Sequence, residues 1–378
     1  MTVGPDAGVG RTAMVTQPVL FRAGWRYLKT FGGARWYLFP WDMAIRDDGV
    51  MAVIVRYQTV GFTHITLNTF DDELIGKFGS YGQGDEQFTW PTSLAFDRGG
   101  LLYVADEHAN RISVFTTDPD EVSEGGIRYV VRGGQKEWQA GKLVSQWGTG
   151  GRAEGQLNGP SGIVFDRNED LYIVDHRSHR IQKFTKDGKF LGVWGGFGDG
   201  EGEFNLPWGI TLDHDGNVYV ADWRNDRVQK FTAEGEFLAS YGSTGDGNGQ
   251  FNRPSSVAVD ADGDIYVADW RNNRVQVIGA DGRFVKSFHG DATASDLMRK
   301  DAVNGTLQPA MAKARFMADD PQSEEIFFGP VSVKLDGQGR LFVVDSYRFR
   351  IQVYQKEGYP SPVLFDARLE SEERILTL

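Results

Sequence analysis

One short pattern that begins at a proline recurs along this chain of 378 residues. Three copies read "GPSGIVFD", "LPWGITLD" and "RPSSVAVD", and their prolines are separated by 47 residues each time. With looser copies included, the pattern begins in six places: Pro40, Pro91, Pro160, Pro207, Pro254 and Pro330. A repeat of this length predicts similar units that stack against one another, because one unit alone cannot bury its apolar side chains.

Each unit contains four short segments in which apolar and polar residues alternate. In the fifth unit these are "SVAVD", "IYVAD", "RVQVI" and "FVKSF", which we call strands a, b, c and d. Alternation with a period of two is typical of strands, and the chain's 48 glycines suit the tight turns between them. Six four-stranded antiparallel units around a central channel describe an all-β, six-bladed β-propeller.

The complete repeat resembles the NHL repeat, with its entry Pro followed by Tyr-Val-Ala-Asp, Asn, Arg and Gln, as in "NVYVADWRNDRVQ". The resemblance extends over residues 25–367 and is closest in blades 2 to 5. It is weakest in blade 1, and blade 6 departs by placing Phe349 directly before its Arg. The resemblance implies a stand-alone, bacterial-type six-bladed propeller. It implies no single function, because propellers serve as enzymes, RNA-binding proteins and scaffolds.

An Asp and an Arg recur in blades 2 to 6 at 15 and 20 residues after the entry Pro, for example Asp222 and Arg227. The Asp ends strand b and the Arg begins strand c, so we expect the pair to face each other across the turn. Blade 1 carries Val55 and Val60 instead and so lacks both partners together. A structural ion pair predicts this joint loss, because one partner alone would leave an unpaired charge. We therefore interpret most of the repeated "VADWRN" as scaffold.

The chain divides into an N-terminal extension (1–24), a propeller (25–367) and a C-terminal tail (368–378), and two insertions interrupt the repeat within the propeller. The insertion at 117–140 falls between strands c and d of blade 2, on the bottom face with the a–b turns. The insertion at 291–327 follows strand d of blade 5, on the top face with the b–c turns. Its residues 292–320 have helix-forming composition. We expect short helices that either cover the channel mouth or pack beside the blade.

Because scaffold positions recur, function is expected where the copies differ. Trp41 and Trp208 follow the entry Pro in blades 1 and 4, which lie opposite each other in a ring of six. Further Trp and Arg residues follow strand b, where they either form a recognition patch or pack on neighbouring blades. The predicted ligand-binding residues of the top face are Trp41, Arg56, Arg177, Trp208, Trp223, Arg224, Trp270 and Arg271.

Several specific chemistries are not supported by the residue patterns. "DHDGN" and "DADGD" begin like calcium-binding loops but have Arg at the twelfth position, which a calcium-binding loop fills with Glu. The glycine-rich d–a loops are followed by strands, whereas a phosphate-binding loop is followed by a helix. The chain has no Cys, and no His follows an entry Pro, where related amidating lyases tend to hold zinc. We predict no bound cofactor, and a structural metal in the central channel stays open. By residue type alone, the acid–base candidates are His108, His176 and Tyr57.

The leading hypothesis is a propeller that binds a small anionic or aromatic ligand in a Trp- and Arg-rich top pocket and acts as a lyase or hydrolase if it is an enzyme. The alternative is a scaffold that binds a protein partner through the same face. Nucleic acid is an unlikely partner because the net charge is −12. We see neither a signal peptide nor a run of 18 apolar residues, so we expect a cytoplasmic protein without membrane contact.

The sequence also predicts how the ring closes. After strand c of blade 6, the next segment contains Pro360 and Pro362, which cannot donate hydrogen bonds to a sheet. The N-terminal "RYLKTFGG" at 26–33 resembles a strand d in its alternation and its final Gly pair. We therefore predict that residues 26–31 supply the fourth strand of blade 6.

Overall fold

A computed structural model describes residues 24–32, 37–56, 63–117, 128–132, 135–139, 141–291 and 326–357, with 128–132 and 135–139 described by their backbone alone. The predicted helices at 292–320 and the candidate Tyr57 lie outside the described residues. The blades fall in one compact unit, Tyr27–Gln355. The other unit comprises Met1–Arg26 and Lys356–Leu378, and in its described residues Nε of Arg26 donates to Oε1 of Glu357 over 2.7 Å.

The described chain consists of short strands that follow one another in the order of the blades. The first strand is β1 (Gly24–Gly32). Blades 1 and 2 and the loops between them contain β2 (Pro40–Ile45), β3 (Met51–Arg56), β4 (Thr63–Asn68), β5 (Leu74–Phe78), β6 (Ser80–Tyr81), β7 (Gln87–Phe88), β8 (Pro91–Phe96), β9 (Leu102–Asp106), β10 (Arg111–Thr116), β11 (Arg128–Arg132), β12 (Gln135–Gln139) and β13 (Lys142–Trp147). Blades 3 and 4 contain β14 (Pro160–Phe165), β15 (Asp170–Asp175), β16 (Arg180–Thr185), β17 (Phe190–Trp194), β18 (Ile210–Leu212), β19 (Val218–Asp222), β20 (Arg227–Phe231) and β21 (Phe237–Tyr241). Blades 5 and 6 contain β22 (Pro254–Val259), β23 (Ile265–Asp269), β24 (Arg274–Ile278), β25 (Phe284–Phe288), β26 (Pro330–Leu335), β27 (Arg340–Asp345) and β28 (Arg350–Glu357).

These strands form the six-bladed propeller that the repeat predicts. Each blade is a sheet in which strands a, b and c pair antiparallel, as in the order β14-β15-β16-β17 of blade 3. The a strands contact one another around a closed ring, from β2 through β8, β14, β18, β22 and β26 back to β2. The prediction of an all-β, six-bladed propeller is confirmed.

The ring closes through the N-terminal strand. The sheet of blade 6 has the order β1-β28-β27-β26, so β1 takes the place of a fourth strand. Phe31 of β1 is fully buried in a cluster shared by blades 6 and 1. Supply of this strand by residues 26–31 is therefore confirmed, and it covers an edge that would otherwise be open to pairing with another chain.

The insertion in blade 2 extends the neighbouring blade. Its strands β11 and β12 pair antiparallel, and β12 then pairs with β5 of blade 1 through Gln139 and Lys77. The sheet of blade 1 thus has six strands, in the order β11-β12-β5-β4-β3-β2. A segment that leaves blade 2 between strands c and d therefore contributes a second connection between the first two blades.

Apolar side chains are buried between blades rather than within them. One cluster joins Ile54 and Leu67 of blade 1 to Leu94 and Phe115 of blade 2, and four more clusters join successive pairs of blades in the same way. Strand b is buried on both faces because each blade lies between two others. This arrangement explains why no single unit of the repeat would be stable alone.

Helical structure in the described residues is limited to three single turns of 3₁₀ helix. Each follows strand b on the top face: His176–Ser178, Trp270–Asn272 and Ser346–Arg348. No helix among the described residues is long and apolar enough to cross a membrane.

Candidate functional site

The repeated residues form a buried hydrogen-bond network. In blade 4 the carboxylate of Asp222 accepts from Nε of Arg227 (2.9 Å) and from Nδ2 of Asn225 (2.8 Å). It also accepts from Nε2 of Gln229 (3.3 Å) and from the backbone N–H of Asn205 (2.8 Å). The Asp, Asn, Arg and Gln of the repeat are thus partners in one structural unit. Three more blades form the same ion pair: Asp175–Arg180, Asp269–Arg274 and Asp345–Arg350.

Blade 2 departs from this network. Asp106 accepts four backbone N–H groups, two from the entry loop at Thr89 and Trp90 and two from its own turn. Arg111 donates instead to carbonyl groups of the preceding loop, among them that of Gln87 at 2.6 Å. The predicted ion pair in blade 2 is therefore wrong, because backbone donors already occupy the carboxylate.

A second recurring contact joins each blade to the next. The residue before the repeated Arg has a left-handed backbone, with φ of 56° at His179 and 51° at Asn273. Its side chain accepts the N–H of the residue before the next entry Pro, as Nδ1 of His179 does from Leu206 over 3.0 Å. Asn110, Asp226 and Asn273 make the equivalent bond. In blade 6 Phe349 has no acceptor and packs against Phe39 of blade 1 at 4.7 Å, which explains the departure noted in the sequence.

Two indoles meet at the top mouth of the channel. The rings of Trp41 and Trp208 are 6.3 Å apart, centroid to centroid, and nearly perpendicular. The prediction that these residues of opposite blades face each other is confirmed. Their contact leaves a pocket of only about 20 Å³, room for about one water molecule. A larger ligand must therefore lie on top of the mouth unless these rings move.

Arg56 lies beside this contact with most of its donors unused. Its guanidinium carbon is 3.6 Å from the ring centroid of Trp41 and 3.9 Å from that of Trp90, and the residue is 4% exposed. Within the described residues its side chain makes one hydrogen bond, from Nη1 to the carbonyl of Pro91 (3.1 Å), and forms no ion pair. Burial lowers the pKa of Arg56 to about 9, while Glu107 favours the charged form. Arg56 is therefore a positive charge at neutral pH with one of its five donors satisfied.

Glu107 and His176 complete the centre of the mouth. The buried carboxylate of Glu107 accepts from Nη2 of Arg177 over 2.8 Å. Nδ1 of His176 is 3.0 Å from the carbonyl of Pro207, which can only accept, so Nδ1 carries the proton and Nε2 the lone pair. Burial lowers the pKa of His176, so the ring is neutral at pH 7. A neutral imidazole with a fixed tautomer has the form of a general base.

The remaining predicted ligand-binding residues form one wall of the top face. Trp223 lies 6.5 Å from Trp208 and 6.3 Å from Trp270, so the three half-buried indoles form a continuous row. Arg224 and Arg271 lie 5.7 and 5.6 Å from the ring centroids of the indoles before them. Arg253, which was not predicted from the sequence, lies 4.6 Å from Trp223. None of these three arginines forms an ion pair with a described residue.

The structure separates the acid–base candidates. His176 belongs to the centre of the mouth, whereas the side chain of His108 is exposed and makes no hydrogen bond within the described part of the chain. Trp90, Glu107 and Arg253 were not predicted from the sequence. Two of them immediately precede an entry Pro, and the variation of that position between blades is the one signal that could have found them. Their convergence on the mouth depends on neighbouring blades and leaves no local signal.

The channel interior is polar, and its positive charge is a lysine. Asp42 accepts from Oγ of Ser93 (2.8 Å) in blade 2 and from Oγ of Ser332 (2.6 Å) in blade 6. Nζ of Lys334 lies 3.2 Å from the same carboxylate. Across the ranges that the structure describes, no three His, Asp or Glu side chains are grouped as a metal site requires.

The NHL repeat model matches four segments of this chain: residues 88–115, 157–184, 204–231 and 251–278. Each match runs from the loop before an entry Pro to strand c, in blades 2 to 5. A comparison with curated protein sequences found no match.

Solved structures share the fold at low identity. A streptogramin B lyase is 12% identical, with 88% of this chain and 98% of that chain covered and a TM-score of 0.51. A gluconolactonase from Xanthomonas campestris is 14% identical, with 85% and 86% covered and a TM-score of 0.50. A protein of unknown function from Bacteroides thetaiotaomicron is 18% identical, with 85% and 70% covered and a TM-score of 0.53. At these identities the likeness shows a common fold.

Proposed function

Since this chain is a six-bladed β-propeller whose blades 2 to 5 carry NHL repeats, we propose that its top face binds a small anionic molecule with a flat portion. One observation carries the proposal. In a protein with a net charge of −12, four guanidinium groups without carboxylate partners in the described structure lie beside the indoles of the top face: Arg56, Arg224, Arg253 and Arg271.

The row of indoles suits the flat portion of such a ligand. Trp208, Trp223 and Trp270 are half-buried, so each ring presents part of its surface to solvent. Stacking on an indole is favourable for any flat π-system, and a guanidinium beside the ring adds charge at its edge. The ligand's anionic group pairs with Arg224 and Arg271, which are exposed and can adjust their side chains to it.

The centre of the mouth supports turnover of the bound molecule. His176 has the protonation state of a base, Glu107 is a buried carboxylate nearby, and Arg56 provides positive charge where negative charge develops. Proton abstraction by Nε2 of His176, with the resulting anion facing Arg56, is the first step of a lyase reaction. The fold is shared with proteins named as a lyase and a gluconolactonase, which supports a search for lyase and hydrolase activity first.

Binding is tested by titrating the protein with 2-naphthyl phosphate, a flat anion, and following tryptophan fluorescence. The double variant Arg224→Gln/Arg271→Gln should bind at least about tenfold more weakly, because it loses charge-assisted hydrogen bonds. Arg283→Gln is the matched control, since Arg283 is an exposed arginine of a c–d turn, already paired with Asp281. Equal affinity in the double variant and the control would contradict the proposal.

The scaffold alternative gives a different result in the same experiment. If the top face binds only a protein, neither 2-naphthyl phosphate nor other flat anions will quench the indole fluorescence at millimolar concentration. Where an anion does bind and is converted, His176→Ala should abolish conversion and leave binding within about threefold, because His176 is placed to move a proton rather than to hold charge.

A further inference from the structure

A large cavity lies on the bottom face, among the a–b turns of blades 2, 3 and 4. It has a volume of about 610 Å³, within the range of sites that hold small organic molecules. It shares no lining residue with the small pocket at the top mouth. The top-face proposal therefore does not account for it.

Two neighbouring blades line this cavity with the same departure from the repeat. The tripeptide Phe-Asp-Arg occurs at Phe96–Arg98 and again at Phe165–Arg167, five to seven residues after the entry Pro. In the other four blades the Phe position holds Ile45, Leu212, Val259 and Leu335, and the Arg position holds Asp47, His214, Ala261 and Gly337. Scaffold requirements are common to all blades, so they do not explain a Phe and an Arg together in blades 2 and 3 alone.

The floor of the cavity is apolar and partly open. Phe96, Val164, Phe165 and Leu212 are each only half-buried, although they lie at the ends of a strands. Phe165 packs one edge against Tyr103 at 4.7 Å. The exposed remainder of these side chains is available to an apolar body, whose burial removes it from water.

The charges that remain unpaired at the cavity are mainly positive. Three of its four acidic side chains have lysine partners, in the pairs Asp166–Lys183 (2.9 Å), Glu169–Lys186 (3.2 Å) and Asp213–Lys230 (3.2 Å). Asp215 is 83% exposed at the rim beside His214. Arg98 and Arg167 form no ion pair with any described residue.

Arg167 is also held in position across the cavity. Its Nη2 donates to the backbone carbonyl of His214, which connects the turn of blade 3 to that of blade 4. This bond uses one of the five donors of the guanidinium, so the other donors remain for a planar anion. The backbone N–H of Arg98 donates to Oε1 of Glu169 over 3.0 Å, which fixes the neighbouring turn.

We propose that the bottom cavity is a binding site for an amphipathic monocarboxylate. Its apolar body lies on Phe96, Phe165 and Leu212, and its carboxylate pairs with Arg98 and Arg167. A carboxylate fits better than a cation because three of the four acidic side chains of this cavity have lysine partners, whereas Arg98 and Arg167 form no ion pair with a described residue. This site is independent of the top-face proposal and needs no flat portion in the ligand.

The test uses decanoate, which has an apolar chain and a carboxylate but no flat ring, and measures its binding by isothermal titration calorimetry. Decanoate should bind, and Arg98→Gln/Arg167→Gln should weaken it at least about tenfold. The top-face variant Arg224→Gln/Arg271→Gln should bind decanoate as the unaltered protein does. Decyltrimethylammonium, which has the same chain length and the opposite charge, should bind at least about tenfold more weakly than decanoate.

Three results would overturn this inference: no heat of binding at millimolar decanoate, equal binding of the cationic analogue, or a loss caused by the top-face variant instead. Because Arg167 also connects two turns, the double variant is checked by its melting temperature. Leu212→Glu gives a second variant that keeps both arginines and places a negative charge on the cavity floor. It should weaken decanoate binding as well, and unchanged binding in it would also reject the site.

Discussion

The buried carboxylate of Asp222 offers the sharpest test of whether the repeated motif is scaffold. Replacing Asp222 with Ala removes the acceptor of four hydrogen bonds at once, while the cavity left behind is small. Asp222 is fully buried and lies where the turn of blade 4 meets its entry loop. None of the four hydrogen-bond partners of its carboxylate is a residue of the indole row.

The expected cost follows from which donors lose their last partner. Nε of Arg227 loses a charge-assisted bond, worth about 1.5–3 kcal/mol, although its other nitrogens still donate to three carbonyls. Asn225 and Gln229 each keep a second acceptor. The N–H of Asn205 keeps none, which adds about 1–3 kcal/mol for an unsatisfied buried donor. The sum is about 2.5–6 kcal/mol, which spans the range of about 3–5 kcal/mol expected for breaking a buried ion pair.

The measurement is urea unfolding followed by circular dichroism and tryptophan fluorescence. The matched control is Asp281→Ala, because Asp281 also pairs with an arginine but at an exposed turn, where Arg283 is 80% exposed. Exposed pairs contribute little to stability, so the control should unfold at the same urea concentration as the unaltered protein. If Asp222→Ala unfolds together with Asp281→Ala, the network does not hold the blade and the scaffold interpretation is refuted.

Single contacts lead to three further predictions. Nδ1 of His179 accepts a hydrogen bond, and burial lowers the pKa of His179, so its contribution to stability is present above pH about 6.5 and is lost as the pH falls below that value. The substitution His179→Asn should therefore reduce the pH dependence of the urea midpoint between pH about 7.5 and about 5. An unchanged pH dependence would contradict the contact. Arg56→Met should change the free energy of unfolding by no more than about 1 kcal/mol, because it replaces a buried charge that has few hydrogen bonds with an apolar side chain. The same substitution should weaken anion binding at least about tenfold. A free energy of unfolding lower by several kcal/mol would show that Arg56 is mainly structural. Deleting residues 1–33 removes the buried Phe31 and exposes the edge of β28, so it should lower the melting temperature by about 10 °C or cause aggregation. A stable monomer with an unchanged melting temperature would exclude closure of the ring by β1.

The fold could be predicted from the sequence because every repeat of a propeller carries the same local sequence pattern. Strand alternation, turn residues and the repeat length are each confined to a few neighbouring residues, so six copies reinforced one prediction. Even the strand that closes the ring could be predicted. Two prolines make 358–365 unsuitable as the fourth strand of blade 6, and the alternating segment at 26–31 precedes every other blade. The same local rule explains Asp222 and Arg227, which are five residues apart and meet across one turn.

The site was accessible only in part, because its geometry depends on which blades become neighbours. The sequence placed Trp41 and Trp208 opposite each other by counting blades, and the structure brings their rings together. Nothing in the sequence indicated that Trp90 would stack on Arg56, or that Glu107 and His176 would lie near the same mouth.

The prediction of an ion pair in blade 2 was wrong for the same reason, because it depended on a neighbouring loop. Asp106 has the right position for an ion pair, but the entry loop at Thr89 and Trp90 turns its own N–H groups toward the carboxylate. The bottom cavity likewise exists because three turns from different blades leave space between them. The sequence by itself determined the strands, their order and the closure of the ring, since those depend on local alternation and turns. Only the tertiary structure decided which charges are buried, paired or left unpaired, because that depends on contacts between residues far apart in the sequence, such as Asp42 and Ser332, which are 290 positions apart.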